Sequence, residues 1–158
     1  MKWSDLCDDP SLRDIPAKIE LNKDGQIVMS PTQNRHGFFA GWIAGTLRAL
    51  MVDGQVSVEL AVETEDSTKV TDVAWASPQR FSIIKDEASS SIAPEICVEI
   101  QSPGNSVLHL EEKRRLYLAA GAEECWICRL TGEVEFYNSA GRLDRSLLCP
   151  GFPSRIPI

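Results

Sequence analysis

The stretch that decides the fold is Ile96-Cys97-Val98-Glu99-Ile100-Gln101, which is followed by Ser102-Pro103. Its apolar residues, with a proline after them, predict a strand of the central sheet at residues 95–101. Residues two apart on a strand point to the same side, so Glu99 and Gln101 can line one pocket. An unpaired charge in a low-dielectric interior costs several kcal/mol. A glutamate in such a strand therefore indicates a polar site beside the sheet.

A second carboxylate lies within the strand predicted at residues 69–76. There Asp72 shares its face with the apolar residues Val70 and Ala74. Two carboxylates from neighbouring strands suit a hard divalent cation, because Mg²⁺ prefers oxygen ligands. A cation held in this way polarises a phosphoryl oxygen and lowers the pKa of a bound water. Asp72 and Glu99 therefore predict a metal site that could serve phosphodiester cleavage.

The remaining predicted elements place helices beside these strands. Asp24-Gly25 favours a tight hairpin turn, and apolar residues at three- and four-residue steps predict a helix with Thr32 as its N-cap. The full set is an opening hairpin (18–21 and 26–29), this helix (to about 53–54), three strands (56–62, 69–76 and 95–101), a second helix (106–120) and a closing hairpin (125–130 and 134–137). The predicted fold class is mixed α/β with a central sheet.

The length and charge of the chain limit the number of domains and the kinds of partner that it can have. Its 158 residues suit a single domain over residues 1–158, in which residues 1–17 form an amino-terminal arm. A net charge of -7 gives no overall positive field, so any nucleic-acid contact must be local. The longest apolar stretch, residues 38–50, is shorter than the ~20 residues that span a bilayer. We expect no membrane segment, and the acidic amino terminus favours a cytoplasmic location.

Four segments in a fixed order carry a family resemblance. They are Thr71-Asp72-Val73-Ala74-Trp75, residues 94–106, Lys113-Arg114-Arg115-Leu116-Tyr117 and residues 121–127. Over roughly residues 18–137, they resemble the Uma-two family of restriction endonucleases, within the PD-(D/E)xK nuclease superfamily. The resemblance implies a restriction-endonuclease-like core, in which helices flank a mixed β-sheet. It also implies a divalent-metal-dependent endonuclease that acts on DNA.

The resemblance implies the site residues as well. Asp72 matches the metal-binding aspartate of the superfamily, and Glu99 matches the acidic residue that opens its (D/E)xK element. Gln101 stands at the lysine position of that element, and Lys113 matches a lysine of the Uma-two pattern. Glu20 matches an early glutamate of the family, which implies a third carboxylate beside the metal or a partner of its ligands. The implied ion is Mg²⁺ or Mn²⁺, and the implied catalytic residues are Asp72, Glu99, Gln101 and Lys113.

These residues also have purely structural interpretations. Asp72 and Glu99 are consistent with solvent-facing carboxylates on half-exposed strands. Gln101 is as consistent with a hydrogen bond to the following turn as with catalysis. Lys113 opens a run of three basic residues, and such runs usually form solvated helix faces.

Two further polar residues are weaker candidates for the same pocket. Glu59 lies on the predicted strand at 56–62, on the face opposite to Val58 and Leu60. His36 lies one turn into the first long helix, where it could reach the pocket, although a lone histidine more often packs or caps.

Three functions are consistent with the sequence. The first is a DNA endonuclease, which we expect to be a homodimer because cutting both strands usually takes two sites. The second is a catalytically inert binding or assembly module with the nuclease fold, favoured by Gln101 at the lysine position and by the acidic net charge. The third is a nuclease for RNA or another phosphodiester, because no helix-turn-helix, finger or basic arm for reading bases is visible.

Overall fold

A six-stranded mixed sheet forms the centre of the computed structural model, which describes residues 1–158. The strands lie in chain order, β3-β4-β5-β6-β7-β8, and β1 pairs with β2 in a separate hairpin. The strands are β1 (Ala17–Leu21), β2 (Ile27–Pro31), β3 (Gln55–Thr64), β4 (Ser67–Ala76), β5 (Ile96–Ile100), β6 (Glu124–Cys128), β7 (Val134–Asn138) and β8 (Gly141–Leu143). The predicted mixed sheet flanked by helices is confirmed.

Four helices accompany the sheet. They are α1 (Trp3–Asp8), α2 (Asn34–Leu50), α3 (Pro78–Ile84) and α4 (Val107–Ala119), with one 3-10 turn at Pro10–Leu12. α4 connects β5 to β6, the one parallel pair of the sheet, as parallel strands require a crossover. None of these helices has the length and apolar character needed to cross a membrane.

Several predicted boundaries were wrong. α2 begins after Gln33, and Thr32 instead donates its hydroxyl hydrogen to the carbonyl of Pro16. The short helices α1 and α3 and the strand β8 were not predicted. α4 matches its prediction, because Ser106 accepts a hydrogen bond from the His109 amide as N-cap. The helix is followed by Gly121 at φ 110°, a conformation that favours glycine.

Apolar side chains cover both faces of the sheet and fix the helices that flank it. On one face, α2 buries Phe39, Ile43 and Leu47 against the strands. On the opposite face, Tyr117 of α4 packs in a smaller cluster that includes Cys97 of β5. Burying each large apolar side chain contributes about 1.5–3 kcal/mol. α2 and α4 are therefore held on opposite faces, and the polar site lies between their amino-terminal ends and the hairpin.

The sheet opens at Asp72. The β4–β5 ladder runs from Trp75 opposite Ile96 to Val73 opposite Val98, and the next position would place Asp72 opposite Glu99. That rung is absent. On the other side of β4, the rung between Asp72 and Glu59 is also absent, although the ladder continues beyond it. The two missing rungs leave a polar opening beside β4 and β5, whose residues are almost all buried.

Candidate functional site

Asp72 is held by three donors from different parts of the chain. Lys18 of β1 lies 2.6 Å from its Oδ1, and the Ile100 amide donates to its Oδ2 at 2.7 Å. His36 of α2 places Nε2 at 3.2 Å from the same Oδ2. Only 2% of the Asp72 side chain is exposed. The carboxylate thus takes the place of a backbone acceptor for the Ile100 amide where the ladder ends.

Glu99 lies on the same face and is held from the opposite side by α4. Lys113 places Nζ at 2.9 Å from Glu99 Oε1, and the Tyr117 hydroxyl donates to that oxygen at 2.8 Å. Its other oxygen, Oε2, lies 3.7 Å from Lys18 Nζ. Lys18 therefore bridges Asp72 and Glu99, the two carboxylates that the sequence predicts as metal ligands.

Glu20 brings the hairpin to the site. Its Oε1 accepts hydrogen bonds from Lys113 Nζ at 2.7 Å and from the Val70 amide at 2.8 Å. The Val70 amide lies where β4 extends past the end of its ladder with β5. Glu20 thus satisfies a buried donor that has no strand partner, and Lys113 joins Glu20 to Glu99.

The two carboxylates on the strands respond differently to burial. Burial alone would raise the pKa of Asp72, but attraction to Lys18 and the hydrogen bond from His36 bring it well below its ordinary value. Burial dominates at Glu99 and raises its pKa, despite the attraction of Lys113 and Lys18. Two like charges this close disfavour double ionisation. The pair therefore needs positive charge beside it to remain doubly ionised.

The neighbours supply that charge. Burial alone would lower the pKa of Lys18, but attraction to Glu99 and Asp72 raises it above its ordinary value. The hydrogen bond to Asp72 raises the pKa of His36. Burial raises the pKa of Tyr117 well above its usual value, so Tyr117 is a neutral donor to Glu99.

Apart from Tyr117, these groups line a small polar cleft of about 50 Å³. Ile100 is the one hydrophobic residue of its lining. The mouth is formed by the amino-terminal ends of α2 and α4 and the segments before them, with the polar residues Thr32, Gln33, Ser102, Asn105 and His109. Glu59 also lines the cleft, in the left-handed conformation at φ 51° where its rung with Asp72 is missing. Such a conformation costs a non-glycine residue roughly 1–3 kcal/mol.

Four of the five residues implied by the resemblance meet in this cleft. Asp72, Glu99, Glu20 and Lys113 are mutually connected by the contacts described above. Gln101 does not line the cleft, contrary to the expectation that it shares a pocket with Glu99. It follows the last residue of β5, and its side-chain oxygen accepts a hydrogen bond from the Leu130 amide at 3.3 Å. Gln101 therefore ties the end of β5 to the chain after β6.

Lys18 is the residue that sequence reasoning missed. Two positions before Glu20 on the same strand, it points to the same side, which was the available signal. That signal becomes specific only once the hairpin is seen to lie against β4. Tyr117 was also missed as a site residue, although it lies one helical turn after Lys113.

The donor set suits a hard cation. Carboxylate oxygens are the ligands that Mg²⁺ and Mn²⁺ prefer. Asp72 and Glu99 present them from neighbouring strands, and no three acidic, histidine or cysteine side chains are grouped closely enough to form a metal site as they stand. The Lys18 ammonium lies between these two carboxylates, at 2.6 Å from Asp72 and 3.7 Å from Glu99. The residues therefore fit a divalent ion if the Lys18 ammonium moves aside.

The chain has a mixed sheet with a helix on each face, and acidic side chains lie where two strands separate. This arrangement agrees with the restriction-endonuclease-like core that the sequence resemblance implies. The sequence profile of the Uma2 family, described as "Putative restriction endonuclease", matches residues 9–148. The chain belongs to this family.

Solved structures show the same fold. A crystal structure from Anabaena variabilis ATCC 29413, described as "a putative nuclease belonging to DUF820", matches with a TM-score of 0.68. The alignment has 18% identity and covers 87% of this chain and 79% of that chain. A comparison with curated proteins gives no match. The family assignment thus comes from the sequence profile, and the crystal structure supports the fold.

Proposed function

We propose that this protein is a divalent-metal-dependent endonuclease that hydrolyses phosphodiester bonds of DNA. The observation that carries the proposal is the meeting of Asp72 and Glu99 in one cleft, at the point where β4 and β5 separate. Membership of a restriction endonuclease family supports a nuclease reaction at this cleft.

Asp72 and Glu99 would hold Mg²⁺ or Mn²⁺, and Glu20 would lie beside them as a third carboxylate. When bound, such an ion supplies Lewis acidity at a phosphoryl oxygen and lowers the pKa of a bound water. Asp72 is suited to this role because its pKa is depressed and it is ionised at neutral pH. The Ile100 amide fixes its orientation.

Lys113 and Tyr117 would hold Glu99 in its ligating orientation from the side of α4. Lys113 is 3% exposed and also bonds Glu20, so its charge is held fixed in the wall of the cleft. A fixed positive charge there favours negative charge that develops at a phosphate in the transition state. Gln101, which lies outside the cleft, has no part in this mechanism.

We also propose a homodimer as the active form on duplex DNA. Each chain has one such cleft, and cleavage of two antiparallel strands calls for two clefts related by a two-fold axis. A monomer with the same site would nick one strand. The product distribution on a plasmid therefore reports the assembly together with the activity.

Cleavage assays test the proposal directly. Supercoiled plasmid, labelled single-stranded DNA and labelled RNA are incubated with protein in Mn²⁺, in Mg²⁺ or in EDTA. We expect cutting of DNA that requires the metal and that the Asp72→Ala variant loses. Asp86→Ala, which removes an exposed carboxylate on another part of the surface, is purified identically and should cut like the wild type.

Other outcomes decide between the alternatives. Equal cutting by wild type and Asp72→Ala would indicate a contaminating nuclease and contradict the proposal. If only RNA is cut, the proposed catalytic site stands and the proposed substrate changes from DNA to RNA. If no substrate is cut in any metal, the inert binding module becomes the better account, because a cleft whose charges are already neutralised by lysines can persist without turnover.

A further inference from the structure

Lys18 and Lys113 approach the carboxylates in different ways. Lys113 is 3% exposed and bonds Glu20 at 2.7 Å, Glu99 at 2.9 Å and the Val70 carbonyl at 3.4 Å. Lys18 is 15% exposed and lies 2.6 Å from Asp72 and 3.7 Å from Glu99. Lys113 is therefore part of the buried framework, whereas Lys18 closes the gap between the two carboxylates from the cleft.

We propose that Lys18 is a displaceable counter-ion, which holds Asp72 and Glu99 together until a divalent cation takes its place. This inference rests on the proposed metal site. It assigns to Lys18 the control of metal affinity at that site. It also accounts for the positive charge that lies between two adjacent buried carboxylates.

The physical argument is one of competition for the same oxygens. Asp72 Oδ1 and Glu99 Oε2 face the Lys18 ammonium and would have to face a shared cation. Positive charges a few ångströms apart repel strongly in a poorly solvated cleft, so the ammonium and the cation cannot both lie between these oxygens. A lysine has a flexible four-carbon stem and can swing its charge into water at small cost.

Lys113 is expected to stay in place during this exchange. Its bonds to Glu20 and to the Val70 carbonyl involve neither Asp72 nor the Glu99 oxygen that faces Lys18. Removing it would leave Glu20 and Glu99 without their shared partner in the interior. The two lysines therefore differ in what their removal does: loss of Lys18 frees the metal position, and loss of Lys113 weakens the fold.

Titration calorimetry with Mn²⁺ alone tests the proposal. Lys18→Met keeps the length of the side chain and removes the charge, and Lys85→Met is the matched control at an exposed lysine. Removing one opposing charge at this distance should raise Mn²⁺ affinity about 10-fold or more. Lys85→Met should bind as the wild type does. An affinity of Lys18→Met equal to or below that of the wild type, or no binding by either protein, would overturn the proposal.

A second measurement uses the wild type, in case Lys18→Met does not fold. In uniformly ¹⁵N-labelled protein, we expect the ion-paired ammonium groups of Lys18 and Lys113 to be protected from exchange and to give separate NMR signals. Mg²⁺ should remove or shift the Lys18 signal and shift the Ile100 amide, which donates to Asp72. The proposal fails if the Ile100 amide shifts while the Lys18 ammonium signal does not.

These readouts are independent of catalysis. If Lys18→Met binds Mn²⁺ more tightly but the wild type cuts no substrate, the counter-ion inference is supported and the proposed nuclease reaction is contradicted. If the wild type cuts DNA but Lys18→Met has an unchanged Mn²⁺ affinity, the nuclease reaction is supported and the counter-ion inference is contradicted. The failure of either proposal can therefore be recognised separately.

Discussion

Two of the buried glutamates, Glu99 and Glu124, lie on adjacent strands and have hydrogen-bond partners of opposite kinds. Glu124, at the start of β6, accepts hydrogen bonds from Trp126 Nε1 at 2.7 Å and from the Ser146 hydroxyl at 2.6 Å. The amides of Leu147 and Leu148 donate to its other oxygen at 2.7 and 3.0 Å. All four donors are neutral groups fixed by the surrounding fold.

Glu99, on β5, is 2% exposed, as Glu124 is, but has charged partners. Two ammonium groups and one hydroxyl surround it, and both lysines line the cleft. Because its donors are neutral and fixed, Glu124 holds the chain after β8 against the sheet. Glu99 is paired with cations that other cations can replace, so it can change partners. The comparison shows that burial alone does not separate a structural carboxylate from one available for chemistry; the nature of its donors does.

Substitution of Glu99 should have the largest effect on activity. Glu99→Gln keeps the size of the side chain and removes the charge that would hold a metal, so we expect a loss of at least about 100-fold in the cleavage rate. Initial rates of plasmid nicking in Mn²⁺ measure it. Glu124→Gln is the matched control and should retain most of the rate per folded molecule. Similar losses in both variants would remove the distinction between the two glutamates.

Substitution of Glu124 should have the larger effect on stability. Glu124→Ala leaves four donors without an acceptor, two of them in fully buried hydrogen bonds. We expect a decrease of about 2–4 kcal/mol in the free energy of unfolding. Urea unfolding followed by circular dichroism measures it, with the midpoint falling at an unchanged slope. Mn²⁺ affinity under folding conditions should not change. A stability within about 0.5 kcal/mol of the wild type would contradict the structural role.

Glu135, another buried glutamate, extends the comparison to the effect of pH on stability. Glu135 receives two hydrogen bonds from the Arg129 guanidinium, each at 2.8 Å, which together with the Tyr137 hydroxyl lower its pKa. Because the pKa of Glu135 is lower in the folded protein, its ionised form stabilises the fold at pH values above the pKa of a glutamate in the unfolded chain, near 4.3. This contribution is lost as the pH falls through the pKa of Glu135 in the folded protein.

The pH dependence of Glu135→Gln tests this assignment. The variant should be less stable than the wild type by about 1 kcal/mol at pH 7. The difference should shrink as the pH falls from about 5 towards 3, since protonation removes the charge from the wild type as well. Thermal or urea unfolding at several pH values measures it. A difference that grows towards low pH would have the wrong sign.

An exposed ion pair should matter least. Arg115 is 55% exposed and contacts Glu112 at 2.8 Å and Glu65 at 3.3 Å. Because solvent screens such pairs, Arg115→Ala should change the free energy of unfolding by no more than about 0.5 kcal/mol. Its cleavage rate also reports whether this face of α4 contacts nucleic acid. A strong rate loss at unchanged stability would place the substrate on that face.

Sequence reasoning reached the part of the site that lies on regular strands. Asp72 and Glu99 could be predicted as neighbours because alternation places each on a defined face and the order of elements favours adjacent strands. Lys18 could not, because its contacts depend on how the hairpin packs against β4. Gln101 was misplaced because the strand pattern does not show that β5 ends at Ile100.

The elements that the sequence did not predict are also ones that depend on tertiary contacts. α3 has seven residues, too few for a helical hydrophobic pattern, and Ser77 and Pro78 at its start also suit a turn. β8 has three residues and is specified by pairing with β7. Long periodic segments such as α2 and α4 were found, while short elements set by tertiary contacts were missed.

Crystals grown with Mn²⁺ and measured for its anomalous scattering test the central claim most directly. The account predicts one peak between the carboxylates of Asp72 and Glu99, within about 2.0–2.4 Å of an oxygen of each. It also predicts that the Lys18 ammonium has moved out of that position, with Lys113 still bonded to Glu20. No peak at saturating Mn²⁺, with Lys18 still bridging the two carboxylates, would contradict it.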